Sequence, residues 1–318
     1  MSEDLIPATW KDDHQYRATR FTFYSSNFRS HEPSLVDAAL RTCITLSGYP
    51  LQIVGATLDN GDVRKRIRLG VRYHGGEHQL TMATENVKIP TGDQLMLMSP
   101  LRKDSTGTVD VDLERTIAAA RGMLGIVFGN GFLHTHFGNS IFDHASRQWS
   151  DDWSNTEFVS DISHQFFKPI DYDTLAKLRA KLRLSNANEL KGRIEFCLAV
   201  VGRSFDRDDK RLEILDYWTA LEILFKGKRR LTAYIDRCRR DTYERQALLR
   251  LKLKRGALVH SGFQEFISDE DVEFLRAVIM TKICLELEVS DKALFEKLER
   301  PLSLPLKMVD EVLLLSKA

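Results

Sequence analysis

Residues 242–262 read TYERQALLRLKLKRGALVHSG. The stretch predicts one helix that stops at Ser261-Gly262, with Gly262 suited to a left-handed C-terminal cap because it has no Cβ to clash. Arg255 and His260 lie near that end. A helical side chain leans over the turn before it. His260 therefore leans over Gly256 and Ala257, and nothing bulky on its own helix covers the imidazole. The carbonyl end of a helix carries partial negative charge, which favours a protonated histidine. A histidine so placed can give or take a proton. Five residues are about 500° of rotation, so on a straight helix Arg255 and His260 diverge by about 140°. They share a target only in a cleft, such as one shared with a second subunit, or if the helix loosens at its end.

Outward from this stretch the charge is uneven. From Lys226 to Arg255 twelve basic residues face only Asp236, Asp241 and Glu244, a net +9. Residues 265–299 carry ten acids against four bases. The whole chain, 318 residues with 46 basic and 45 acidic, averages to +1. That balance argues against a surface coated in positive charge, while the local +9 suits a phosphate backbone. Hydrophobic residues at 43% and charged residues at 29% describe a globular chain of about two domains. They exclude a disordered tail, a collagen-like fibre and a disulfide scaffold. No stretch approaches the roughly 20 apolar residues of a membrane span. The N-terminus lacks the apolar core of a signal peptide. Cys43, Cys197, Cys238 and Cys284 form no CxxC pair. Free thiols in helical patterns go with a reducing cytoplasm.

The expected fold class is α+β: a β-rich domain over 1–170, an antiparallel meander plus a helix, then an all-helical domain over 171–318. Residues 51–58 and 63–73 flank Asn60-Gly61, a hairpin signal. The second of these strands alternates Val63, Lys65, Ile67, Leu69 and Val71 with Arg64, Arg66, Arg68 and Arg72. Gly75-Gly76 turns the chain into a third strand at 79–82, and a fourth is expected at 94–98. A helix capped by Asp112 follows, with Leu113, Ile117, Ala120, Leu124 and Val127 at helical spacing. Residues 129–170 read as irregular. Beyond Pro169 no proline occurs until Pro301, and helices are expected at 173–183, 188–204, 208–226, 229–240, 242–260, 268–288 and 291–299. Asp208-Asp209 and Ser268-Asp269-Glu270-Asp271 are helix-start signals.

The Arg-Gly-Ala-Leu-Val-His-Ser-Gly stretch from Arg255 resembles the Arg-x4-6-His motif of HEPN domains, in particular the branch named after the ApeA phage-defence protein. The helix RLEILDYWTALEILF at 211–225 is similar to that branch's Trp/Ala-Leu-Glu helix. The resemblance covers about 188–290 and implies a four- or five-helix bundle that dimerises with two motif helices across a cleft. It implies a metal-independent endoribonuclease of prokaryotic defence or stress, with Arg255 and His260 as the catalytic pair. In such cleavage the ribose 2′-OH attacks the adjacent phosphate; a His moves the proton and an Arg holds the phosphate oxygens. Glu222, in an apolar run, would orient Arg255 or make a structural ion pair, and Ser261 is a further supporting candidate. Lys228, Arg229, Arg230, Lys252 and Lys254 are the expected RNA contacts. No metal or cofactor is expected. The partners expected are RNA, a second copy of the chain and a regulatory or inhibitory protein at the N-terminal domain.

Gly256 departs from the family pattern, where a polar residue often follows the Arg. That points to the alternative, a non-catalytic HEPN module that binds RNA, nucleotide or a protein. A third reading places a metal at His134, His136 and His144 with Asp143, since His-x-His on a strand puts both rings on one face. No Walker A, GxGxxG or GxSxG sequence is present.

Overall fold

The computed structural model describes residues 3–24, 28–29, 43–46, 49–58, 63–74, 77–88, 92–103, 111–128, 136–152, 165–166, 176–178, 180–182, 188–205, 207, 209–238, 243–261 and 266–289. It is mixed α+β, with helices dominating the C-terminal part. The chain divides into two compact units. One comprises Met1–Ile117 with Phe128–Phe167, and the other Ala118–Val127 with Lys168–Ala318.

The first unit is built on strand β1 (Tyr16–Tyr24), whose last seven residues are all buried. Large apolar side chains at alternate positions give it one greasy face: Phe21 and Phe23 pack with Ile6, Trp10, Met96, Met98 and Phe142. The other face carries Arg20 and Thr22, also buried. Arg20 is paired with Glu114 of helix α2 (Val111–Phe128); α1 is the short turn Ala8–Lys11. A buried cation needs such a partner.

The remaining strands are β2 (Phe28–Arg29), β3 (Cys43–Leu46), β4 (Tyr49–Leu58), β5 (Val63–His74), β6 (Glu77–Lys88), β7 (Gly92–Arg102), β8 (His136–Asp143), β9 (Trp149–Asp152) and β10 (Gln165–Phe166). Six of them form an antiparallel sheet in the order β3-β4-β7-β1-β8-β9. The expected hairpin across Asn60-Gly61 does not form. β4 pairs with β3 over residues 49–52 and with β7 over residues 52–58, and β5 pairs with β6 instead. The turns at Asn60-Gly61 and Gly75-Gly76 lie outside the described residues. Part of the stretch read as irregular, 136–143, is the strand β8 beside β1. Gly138, Asn139 and Ser140 hide it from a propensity reading. α2 begins at Val111, so Asp112 is in its first turn and not its cap; its carbonyl accepts from Thr116 Oγ1.

The second unit is helical: α3 (Asn188–Ser204), α4 (Lys210–Leu224), α5 (Lys228–Arg237), α6 (Tyr243–Ser261) and α7 (Asp269–Glu286). Asp209 caps α4 by accepting from the Arg211 N–H. Ser268 and Asp271 form a reciprocal capping box on α7. Residues 176–178 and 180–182 are helical; the helix expected at 291–299 lies outside the described residues. None of the described helices is long and apolar enough to cross a membrane.

α2 and α3 touch backbone to backbone. A Cβ on Gly122 would fall 2.0 Å from the Leu198 carbonyl oxygen, and one on Gly202 would fall 1.8 Å from that of Ala118. Only glycine fits either place. Met123, Leu178, Leu182, Ile194, Leu198, Met280, Ile283 and Leu287 line one apolar hollow beside this crossing.

Gly202→Ala should lower stability in urea unfolding by about 3 kcal/mol, the upper end of overpacking costs. Gly192→Ala on the same helix has nothing within 4 Å of the added methyl. It should raise stability by roughly 0.5–1 kcal/mol through propensity.

Candidate functional site

The site is assembled by α5 and α6. α6 turns Ala247, Leu248, Leu251 and Leu258 inward. Outside that stripe apolar side chains are uncovered: Leu253 is 70% exposed and Val259 50%. His260 is exposed and Arg255 half-buried. No described residue forms a side-chain hydrogen bond or ion pair with either. A Cβ on Gly256, between them, would meet nothing within 4 Å. The helix is continuous through Ser261. Loosening before its end therefore does not bring Arg255 and His260 together; on one α6 they stay about 140° and 7.5 Å of rise apart. The Ser261 side chain and Gly262 lie outside the described residues.

α6 is held by α7. Asp271 is 1% exposed and accepts from Arg250 Nη2 at 2.7 Å and Lys254 Nζ at 2.7 Å. The same carboxylate accepts the Ser268 N–H at 3.2 Å in the α7 cap. Lys254 also donates to the Phe266 carbonyl at 2.9 Å. Tyr243 adds an edge-on ring contact with Phe274. Lys254, expected as an RNA contact, thus spends its charge on Asp271. Lys252 has no such partner among the described residues.

α5 follows a turn in which Lys226 and Gly227 have φ of 56° and 113°. Gly227, at the cap position, is in a region that favours glycine. The helix buries Leu231 and Ile235. Tyr234 stacks on Phe225 at 4.6 Å, with Lys282 Nζ 4.0 Å from the Tyr234 ring centre. Tyr234 donates to Glu244 on α6; burial first, then Glu244, pushes its phenol up. Sequence reading missed this clamp. Its members are spread from 225 to 282, and the signal available was only an aromatic within a basic helix.

These contacts fix the first turn of α5, where Lys228, Arg229 and Arg230 are all exposed. That turn holds no acid. Three cations there oppose the helix dipole, which an anion would relieve. Lys226 is engaged by Glu189 at 2.7 Å. Glu222 is not beside Arg255 in a hydrogen bond or ion pair. It accepts from Trp218 Nε1 at 3.0 Å, one turn earlier on α4.

The metal reading is opposed by strand geometry. His136 begins β8 and Asp143 ends it, seven residues or about 24 Å away. His136 Nε2 lies 3.3 Å from Asn139 Oδ1, whereas His144 Nε2 lies 2.9 Å from Thr19 Oγ1. Asp143 is occupied by the N–H groups of Ala145 and Ser146. Burial pushes the His144 imidazole down. His134 lies outside the described residues. No group of three metal-ligating side chains occurs among the described residues.

Comparison of the chain with protein-family models, curated proteins and solved structures finds no match. The site therefore rests on its own geometry, and two predictions test the frame around it. Asp271→Asn, which strips the charge that Arg250 and Lys254 share, should cost about 3 kcal/mol in urea unfolding. The second concerns Glu213 on α4. Burial pushes its carboxyl up to about 7; Arg276 opposes and Glu273 adds to the shift. A carboxyl raised when folded stabilises below its unfolded value and loses that contribution as pH rises to the folded one. Relative to Glu213→Gln, the wild type should lose up to about 3 kcal/mol between pH 4.5 and 7.

Proposed function

We propose that the helical unit is a HEPN-like domain and that the chain is a metal-independent endoribonuclease. The observation that carries this reading is the end of α6: an exposed His260 and an Arg255 without a described side-chain partner, flanked by open space at Gly256. In the reaction, His260 takes the proton of the ribose 2′-OH as its oxygen attacks the adjacent phosphorus. The bond to the 5′ oxygen of the next nucleotide breaks, leaving a 2′,3′-cyclic phosphate and, after protonation, a 5′-OH. Arg255 holds the non-bridging oxygens as their charge grows. Lys228, Arg229, Arg230 and Lys252 hold the flanking phosphates.

Because one α6 cannot aim both side chains at one point, the reading requires a homodimer in which two motif helices face each other. The exposure of Leu253 and Val259 supports a partner there. Prokaryotic defence or stress in the cytoplasm, with the first unit sensing or restraining the second, is the setting that goes with it. Gly256 favours a second reading. Active members of the family often place a polar group there, so a domain with empty space can bind RNA, a nucleotide or a protein without cutting.

Incubation of labelled RNAs with EDTA separates the two. His260→Ala and Arg255→Ala should each reduce cleavage by at least about 100-fold. Variants that cut as well as wild type, or a wild type that leaves all RNAs intact, overturn the catalytic reading. RNA binding that falls steeply with salt, without cleavage, selects the second.

A further inference from the structure

Phe266, just before α7, is the most exposed large apolar side chain among the described residues, at 77%. It stands on anchored backbone. Its carbonyl accepts from Lys254 Nζ at 2.9 Å, and Lys254 is itself held by Asp271. Ile267, the next residue, is buried, and Ser268 caps α7. An aromatic ring on a fixed mount loses little conformational freedom when a flat ligand covers it.

The geometry of α6 relates this mount to the proposed site. Successive side chains turn about 100° round a helix. Lys254 and Arg255 are consecutive and bracket the buried stripe of Leu251 and Leu258. The long way round from Lys254, the arc passes Leu253, His260 and Lys252 before it reaches Arg255. Leu253 and His260 are exposed and Lys252 is half-buried. The Phe266 carbonyl is therefore at one flank of the open arc and Arg255 is at the other. The acidic start of α7 is largely neutralised: Asp269 pairs with Lys210 at 2.6 Å, and Asp271 with Arg250 and Lys254. That leaves one acid of the turn, Glu270, against the cations of the arc.

We infer that Phe266 is a stacking platform for an unpaired base, which makes single-stranded RNA the substrate class of the α6 site. The inference rests on the reading of α6 as the RNA site. A strand lying over the open arc meets the cations of Lys252 and Arg255 toward one flank and the ring at the other. A protein contact is marked by a contiguous apolar patch. The residues that follow this ring are buried or polar: Ile267, Ser268 and Asp269. A base needs only a flat face, and every base has one. In a duplex those faces are covered by neighbouring bases, so stacking on Phe266 selects unpaired RNA.

The test uses the full chain in a His260→Ala background with EDTA, so that no probe is cut. A labelled single-stranded RNA, alone and annealed to its complement, is titrated by fluorescence anisotropy over a range of salt concentrations. Phe266→Ala should weaken single-strand binding by at least about 5-fold, the loss of one base stack. The salt slope should stay the same, because no phosphate contact is removed. Phe266→Trp should keep the affinity. Phe266→Leu, apolar but without a π-face, should lose it as Ala does. Duplex binding should be indifferent to all three substitutions. Equal single-strand binding by the Phe266→Ala protein and its parent overturns the inference. So does a Phe266→Leu protein that binds like its parent, or a Phe266→Ala protein that loses its dimer in sedimentation, since either assigns the ring to a protein contact. With His260 in place, cleavage whose kcat/KM ignores Phe266→Ala overturns the platform and leaves the ribonuclease standing. Phe266-dependent binding without cleavage does the reverse. A chain that binds neither probe overturns both.

Discussion

A single buried carboxylate organises the helical unit. Asp271 closes the N-terminal cap of α7 through Ser268 and neutralises Arg250 and Lys254 of α6. Three demands converge on one side chain: orphan amides at a helix start, a buried charge that needs partners, and a basic helix that needs an anchor. Each cation is only partly buried, so the cluster avoids most of the desolvation that makes fully buried pairs unprofitable. Removing the carboxylate would release the α7 cap and the grip on α6 together.

The consequence is a division of labour along α6. Arg250 and Lys254, on the side that meets α7, are structural. Lys252, Arg255 and His260 have no described side-chain partner and stay available for a ligand. The same sorting applies to α5 and the turn before it, where Lys226 is spent on Glu189 while Lys228, Arg229 and Arg230 are not. The net charge of the basic segment therefore overstates what a ligand meets.

Local physics was legible in the sequence and nonlocal geometry was not. Asp209 and Ser268 announced α4 and α7 because a cap is set by residues two or three positions away. The ends of α3 fell where the pattern put them. The pairing of β4 with β7, across an intervening ribbon, depends on which edges are free once the whole sheet is built. The crossing of α2 and α3 at Gly122 and Gly202 depends on residues 80 apart, and neither glycine signals it by itself. At the site, Arg255 and His260 stood out because their helix end is local. The commitments of Lys254 and Glu222 were hidden because a side chain's partner is set by tertiary packing.

The central claim is that RNA is cut by its own 2′-OH at the end of α6. It is tested most directly by the ends of the products formed in EDTA from an all-RNA oligonucleotide and from its 2′-O-methyl counterpart. The account predicts 2′,3′-cyclic phosphate and 5′-OH ends from the first and no cleavage of the second. Products ending in 3′-OH and 5′-phosphate, or equal cleavage of both oligonucleotides, would contradict it.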